Sequence, residues 1–342
     1  MSRAHGWFAI CSSVIASSLC AHIVHAEQYS LIELDAPAGA QFALPLGINN
    51  NDQAVGQIAV SPASNYAALW DGTIATTLDL AGGIAGAAYA INDAGVIVGT
   101  TYTMPPNGGY EQRAILWNGG LTTLLPTLGG TQGSAIAVNQ LGQVVGWTND
   151  IDGQARAVLW DGATPTDLGY GSVRDINNLS QMVGVSSSYG ATLWNGTTPT
   201  ALAVDMEPVA INDAGAIVGN TQGYDYDIFR WATTAKLWSE GTVIVLAGPA
   251  NYQYNTTARD INNAGQIVGY SENEDLGTVA TLWTGTSALN LNTVLTAAQA
   301  LHIRLTQATA INDLGHIVVS GFDSDEQQQH SYVLIPATST TE

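Results

Sequence analysis

Residues 90–99, AINDAGVIVG, and residues 210–219, AINDAGAIVG, are one phrase written twice. Worn copies bring the number to seven: INNNDQAVG from Ile48, INDAGVIVG from Ile91, VNQLGQVVG from Val138, INNLSQMVG from Ile176, INDAGAIVG from Ile211, INNAGQIVG from Ile261 and INDLGHIVV from Ile311. They start 43, 47, 38, 35, 50 and 50 residues apart, so the phrase belongs to a unit that recurs about every 44 residues. Leu-Trp and a turn follow each of the first six copies, at Trp70, Trp117, Trp160, Trp194, Trp238 and Trp283, and a Thr/Leu-rich stretch comes next. The seventh copy has YVLIP from Tyr332 in that place.

The local chemistry reads as strands. In SAIAVNQLGQVVG (134–146) an alternating apolar run meets Asn139, passes a polar tip and leaves through Gly142 into a β-branched run. Asn bonds its own main chain in a turn, and Gly takes positive φ without a Cβ clash. Leu-Trp followed by Asp-Gly or Asn-Gly predicts a second hairpin with a two-residue turn. Each unit therefore gives four short antiparallel strands, a to d in chain order. Helical periodicity is confined to LTAAQALHIRL (295–305).

Four strands per unit, seven times over, predict an all-β chain: a seven-bladed β-propeller of four-stranded antiparallel blades. The seventh unit supplies only a, b and c before the chain ends. YSLIELDAPAG (29–39) is the expected missing d strand, so an N-terminal strand should close the ring and remove its free edges.

Residues 1–26 stand apart. One basic residue (Arg3), an apolar stretch from Trp7 to about Val24 and the ending Val24-His25-Ala26 have the layout of a cleaved signal peptide. The expected organisation is a signal peptide (1–26), one propeller domain (27–337) and a polar, disordered tail (338–342). The protein is then secreted, to the periplasm or beyond the cell. Both cysteines, Cys11 and Cys20, fall within the signal segment, leaving no disulfides in the mature chain. Removing Arg3 from 8 basic residues leaves 7 against 28 acidic ones, a formal −21. That balance disfavours nucleic acid and anionic membrane surfaces and suits neutral sugars, cations such as calcium, or basic partners. No cofactor is implied, calcium apart.

The alternation of A-x-x-IN-D-x-G-x-IVG with A-x-LW-x-G resembles the HAF-repeat family of bacterial extracellular proteins across residues 29–337. LNLNTVLTAAQALHIRLTQATAIND (289–313) also resembles the leucine-asparagine segment such proteins carry before their last repeat. The naming tripeptide His-Ala-Phe is nowhere intact. Its nearest form is His330-Ser331-Tyr332, while Ala67, Ala114, Ala157, Ala191, Ala235 and Ala280 hold its middle place elsewhere. The resemblance implies extracellular location and repeat architecture, without an established reaction.

Residues that recur read first as scaffold. The repeated tryptophans should pack between blades, and the tips Asn92-Asp93, Asn212-Asp213 and Asn312-Asp313 should be plain turns. LGGTQGS (128–134) lacks a following helix or Lys and reads as a crossover. The b-to-c loops do not repeat, and in a propeller they share one face with the d-to-a crossovers. The candidate ligand face carries Tyr102, Tyr110, Trp147, Asp150, Asp152, Tyr224, Asp225, Tyr226, Asp227, Trp231, Tyr270, Glu272, Asp323 and Asp325. Aromatic rings give platforms for sugars; Asp225, Asp227, Asp323 and Asp325 are the candidate calcium ligands. The loop NTQGYDYDIFRW (220–231) is the richest, with Tyr224, Tyr226 and Trp231 as binding platforms; the alternative is that Phe229 and Trp231 merely begin strand c and pack inward. His302, His316 and His330 lie in or just before the last unit, and His316 falls on the face opposite His330. The leading expectation is a non-catalytic, glycan-binding protein. Its alternatives are a polysaccharide-acting lyase or glycosidase and a scaffold for other secreted proteins.

Overall fold

A computed structural model describes residues 29–337 except 38, 62–63, 106–107, 163 and 226–229, and of Asp225 the backbone alone. The proposed signal peptide and tail lie outside these residues. The chain is all-β, with antiparallel sheets in the order the repeats dictate. In the second repeat, for example, Ala85–Ile91, Ile97–Thr103, Glu111–Asn118 and Leu121–Leu124 pair in chain order as a, b, c and d. Five such four-stranded sheets occur. A seven-stranded sheet joins the third and fourth repeats through one strand, Thr164–Ile176. Its first half pairs as strand d of the third repeat and its second half as strand a of the fourth.

The sheet of the last repeat takes its fourth strand from the other end of the chain. Tyr29–Glu33 pairs antiparallel with Gln328–Pro336, from Tyr29 opposite Pro336 to Glu33 opposite Tyr332. Leu34 and Val333 then pack with Ala54 and Trp70 of the first repeat. The other apolar clusters likewise form between successive repeats: Val55 and Ala67 meet Ile91 and Trp117, and Val98 and Ala114 meet Val144 and Trp160. The sheets thus stack as a ring, the β-propeller arrangement.

Each recurring residue now has a task. Trp70, Trp160, Trp194 and Trp283 are fully buried. Their indole N–H groups donate to the carbonyls of Asp35, Pro126, Leu168 and Ala247, at 3.0, 2.8, 3.3 and 2.7 Å, where the preceding repeat leaves its d strand or begins its crossover. Trp117 makes the same bond to Asp79 at 2.5 Å. Each of these five tryptophans therefore fills the space between two sheets and ties the two together. The c-to-d turns use positive φ where expected: Gly119 and Gly120 sit at +55° and +83°. The glycine ending each IVG is required by close approach, since a Cβ on Gly99 or Gly269 would collide with the carbonyl of Ala87 or Thr257 on strand a.

The asparagines opening the a-to-b turns do more than turn the chain. Asn92 accepts at Oδ1 from the Val96 N–H (3.0 Å), which folds its own tip. Its Nδ2 donates to the Asn139 carbonyl of the next repeat (2.9 Å). The same side chain-to-carbonyl bond runs from Asn49 to Asn92, Asn139 to Asn177, Asn177 to Asn212, Asn212 to Asn262, Asn262 to Asn312, and Asn312 back to Asn49, at 2.9–3.1 Å. A second cycle uses the following residue. The backbone N–H groups of Asn50, Asp93, Gln140, Asn178, Asp213, Asn263 and Asp313 each donate to the next one's side-chain oxygen, at 2.8–2.9 Å. Two closed hydrogen-bonded rings thus encircle the axis at the tight-turn end.

Three expectations are corrected. LGGTQGS is not a crossover: Gly129–Val138 is one long a strand with two irregularities in its pairing. The stretch 295–305 is not a helix with a 3.6-residue period, but holds a short 3-10 turn at Gln299–Leu301 before strand Ile303–Ile311. The loop 220–231 is largely strand, because b runs to Asp225 and c restarts at Arg230, with Tyr224 opposite Trp231.

Candidate functional site

Strand a lies innermost, and each copy carries a β-bulge at the same place. A bulge adds an unpaired residue and re-aims its side chain. The bulged residues Leu46, Tyr89, Ile136, Arg174, Val209, Arg259 and Thr309 all line one axial cavity of about 190 Å³. Five of the seven are uncharged. The two arginines come from the only repeats that read Arg-Asp-Ile-Asn-Asn, at 174–178 and 259–263.

The aspartates beside them are also exceptions. Where other repeats place Gly47, Ala90, Ala137, Ala210 or Ala310, the fourth and sixth place Asp175 and Asp260. Asp175 accepts from the N–H of Ile176 and from that of Ile211 in the next repeat, both at 2.8 Å. Asp260 does likewise with Ile261 (2.8 Å) and Ile311 (2.9 Å). Burial pushes the Asp175 carboxyl up to about 7, against the pull of its two N–H donors, and pushes Asp260 up as well. Both side chains border the axial cavity and retain some accessible surface, which tempers the penalty.

On the face opposite the asparagine rings, the axial cavity meets a larger cleft of about 860 Å³ between repeats four, five and six, and Arg174 and Arg259 line both. The cleft exists because the fifth repeat's inner strand, Glu207–Ile211, is short, while its b strand runs from Ile217 to Asp225. Glu207 pairs with Asn220, and strand b continues past it along the cleft wall through Thr221 and Gln222. Thr221 and Lys236 both donate to the Asp205 carbonyl at the rim, Lys236 at 2.8 Å. Arg174 pairs with Glu207 at 2.9 Å, both side chains being exposed. Arg259 lies over the Tyr270 ring, 5.6 Å from its centre, and has no carboxylate partner among the described residues. The fifth repeat departs from the scaffold in one more way: Trp238 is only partly buried, and its indole has no hydrogen bond among the described residues.

The sequence-derived candidates divide accordingly. Tyr270 lines the cleft. Tyr224 and Trp231 meet edge-to-face on the extended hairpin above it, with ring centres 5.9 Å apart, and Trp231 is 71% exposed rather than packed inward. Tyr226, Asp227 and Phe229, and the side chain of Asp225, lie outside the described residues. Tyr102, Tyr110 and Trp147 belong to repeats two and three and line no part of the cleft. The carboxylates are mostly engaged in turns. Asp150 accepts from the N–H groups of Asp152 and Gln154, at 3.0 and 2.9 Å. Asp323 accepts from those of Asp325 and Glu326, at 2.7 and 3.2 Å, which lowers its pKa. Glu272 accepts from Asn255 at 2.6 Å, and Asp325 meets His302 at 2.7 Å. His316 pairs with Asp52 at the tight-turn end, and His330 with Glu33, both at 2.5 Å. Among the described residues no three histidine, cysteine or acidic side chains are placed to share a metal ion.

Sequence reasoning missed Arg174, Arg259, Asp175 and Asp260. The signal was present: comparing the seven copies column by column shows Arg-Asp in two of them where the others are uncharged.

No protein-family model matches the chain, and no curated protein does. Solved structures overlap it in part. The β-propeller domain of a Trilobed protease from Pyrococcus furiosus is 12% identical with a TM-score of 0.49, over 70% of this chain and 79% of that one. TolB from Acinetobacter baumannii is 10% identical with a TM-score of 0.41, over 69% of this chain and 63% of its own. Pyrococcus horikoshii acylaminoacyl peptidase is 12% identical with a TM-score of 0.49, over 82% of this chain and half of its own. Nothing about ligand or activity follows from overlaps of this size. Among the described residues, no helix is long and apolar enough to cross a membrane.

Proposed function

We propose that the chain is a secreted, seven-bladed β-propeller of the HAF-repeat type that binds a glycan, without catalysis, on its variable face. The seven-membered asparagine ring supports the blade count, with the shared strand Thr164–Ile176 serving two blades. The observation carrying the binding reading is the cleft between the fourth, fifth and sixth repeats. It is large enough for two or three sugar units on the scale of known ligand pockets, roughly 300–1,000 Å³. The Gln222 amide offers a donor and an acceptor along its wall, Tyr270 offers a ring, and Tyr224 with Trp231 stands exposed beyond it. Exposed aromatic surface is costly to order unless it meets a partner.

A glycan array read with and without calcium tests this, followed by product analysis on any bound polymer. Binding without cleavage supports the reading. New reducing or unsaturated ends would replace it with an enzyme, and silence across the array with a scaffold. Loss of binding on chelation would make calcium part of the site, and alanine at Asp225 and Asp227 compared with alanine at Asp323 and Asp325 would then tell which pair holds it.

A further inference from the structure

Charge is the unexplained property of the cleft. The chain has 8 basic residues and a formal charge of −20, so a positive side chain is a rare resource. Arg174 and Arg259 nevertheless both line this cleft, and Lys236 reaches its rim at Asp205. The two arginines occupy equivalent bulge positions on either side of the short inner strand, where the fold turns side chains toward the axis. Nothing in the scaffold needs them, because the same position is filled by Leu46, Tyr89, Ile136, Val209 and Thr309 elsewhere. Arg174 has only an exposed ion pair with Glu207 to occupy it, a contact worth little to stability. Arg259 has Tyr270 beneath it and no carboxylate among the described residues.

We propose that Arg174 and Arg259 form an anion subsite in this cleft, which receives a carboxylate or sulfate carried by a saccharide. The proposal rests on the glycan-binding reading above. A guanidinium presents paired N–H donors in the fork geometry that carboxylates and sulfates accept, and here two such forks, from the repeats flanking the short inner strand, line one cleft. The net negative charge of the whole protein repels dense polyanions, so the ligand carries isolated acidic groups on an otherwise neutral chain. Tyr270 and the amide of Gln222 then meet its neutral sugars. Glu207 acts as an internal competitor that a ligand anion must displace from Arg174.

The test is equilibrium binding of the full mature protein to an array of matched glycans. Each singly acidic member, uronate-bearing or sulfated, is paired with its carboxyl-reduced or unsulfated counterpart, and Asp/Glu-containing peptides are included. The acidic members should bind at least ~10-fold more tightly than their neutral counterparts, with a preference that weakens as salt rises. Arg259→Gln should bring the ratio of acidic to neutral affinity close to one with the melting temperature unchanged, the ratio being read because Arg259 also covers the Tyr270 ring. Glu207→Gln should raise affinity for the acidic members severalfold, an effect no unfolding artefact can mimic. Whether uronate or sulfate is preferred names the group. Equal binding of acidic and neutral members, insensitive to both substitutions, overturns the anion subsite and leaves glycan binding standing. Binding of acidic peptides in place of glycans, or of nothing on the array, overturns both.

Discussion

Replacing Asn139 by Ala tests whether the asparagine ring holds the molecule together. Asn139 is 3% exposed and makes four bonds that Ala cannot replace. Its Nδ2 donates to the Asn177 carbonyl (3.1 Å) and to Gln143 Oε1 (2.8 Å), and its Oδ1 accepts from the N–H groups of Leu141 (3.1 Å) and Gln143 (3.0 Å). A buried neutral hydrogen bond contributes about 1 kcal/mol net, so the four together give a loss of about 4 kcal/mol. Unfolding entropy is about 2 cal/mol/K per residue, which for a domain of this size converts that loss into a fall in Tm of about 6 °C. Asn139→Asp separates the two halves of the interaction, since the carboxylate still accepts from the turn but faces the Asn177 carbonyl with no proton to give. Its folded pKa is therefore raised above the unfolded value. The variant should be close to wild type in acid, where the carboxyl can donate, and should lose stability as pH rises through that folded pKa. Thermal melts from pH 4 to 8 decide the matter. A fall below about 1 °C for the Ala variant, or an Asp variant with no pH dependence relative to wild type, would refute the ring as a stabilising device.

Gly269→Ala should destabilise by more than about 3 kcal/mol, because its Cβ meets the Thr257 carbonyl on a strand that cannot retreat; soluble yield and thermal melts measure this. Deleting residues 27–36 should lower the melting temperature and broaden the transition by exposing the edge of Gln328–Pro336, and an unchanged melt would rule out closure by the N-terminal strand. Asp175→Asn should flatten part of the pH dependence of stability. Its folded pKa, about 7, lies above the ordinary value of 3.8, so wild type loses stability as pH rises from about 4 to about 7. That interval sets an upper bound of about 4 kcal/mol, reduced by the surface Asp175 shares with the axial cavity. Wild type and variant should therefore diverge in the variant's favour across this window in chemical denaturation. Tyr224→Ala combined with Trp231→Ala should abolish glycan binding with little change in melting temperature, because Trp231 is largely exposed.

The scaffold was readable because its chemistry repeats. A tryptophan that must fill the gap between two sheets, an asparagine that must fold its tip and a glycine pressed against a neighbouring strand are the same residue in nearly every copy. The closing strand was legible for the converse reason: the seventh copy lacked one that residues 29–33 could supply. The rings were not legible. An isolated Asn-Asp tip satisfies the rules for a turn, and only its position around the axis shows that Nδ2 reaches the next tip 35 to 50 residues away. The cleft was half legible. Aromatic richness pointed to Tyr224 and Trp231, but the short inner strand beside them is a matter of strand length, and 220–225 reads as loop because Asn, Gln and Gly are weak strand formers. Tertiary pairing with Arg230–Ser239 overrides that preference.

The division of the molecule into a constant and a variable end has a mechanical basis. At the tight-turn end, each repeat bonds the next through one side-chain amide and one backbone N–H, so a substitution there disturbs two repeats at once. Away from that end the bonds between sheets follow no common pattern, as Asn220 with Ala258, Ala235 with Thr256 and Thr100 with Ser134 show, and strand length can change without breaking a ring. The fifth repeat uses that freedom. Its inner strand stops at Glu207, its tryptophan sits less deeply, and its b–c hairpin rises beyond its neighbours, while Asn212 still donates to Asn262 at 3.1 Å. Divergence confined to the open end lets a cleft form without loosening closure. The arginines fit the same logic. A bulge lies three residues before the ring asparagine on strand a, yet its side chain lines the axial cavity, where it meets no partner that the scaffold requires. Charge placed there is positioned by the most constrained part of each repeat and presented to the least constrained face.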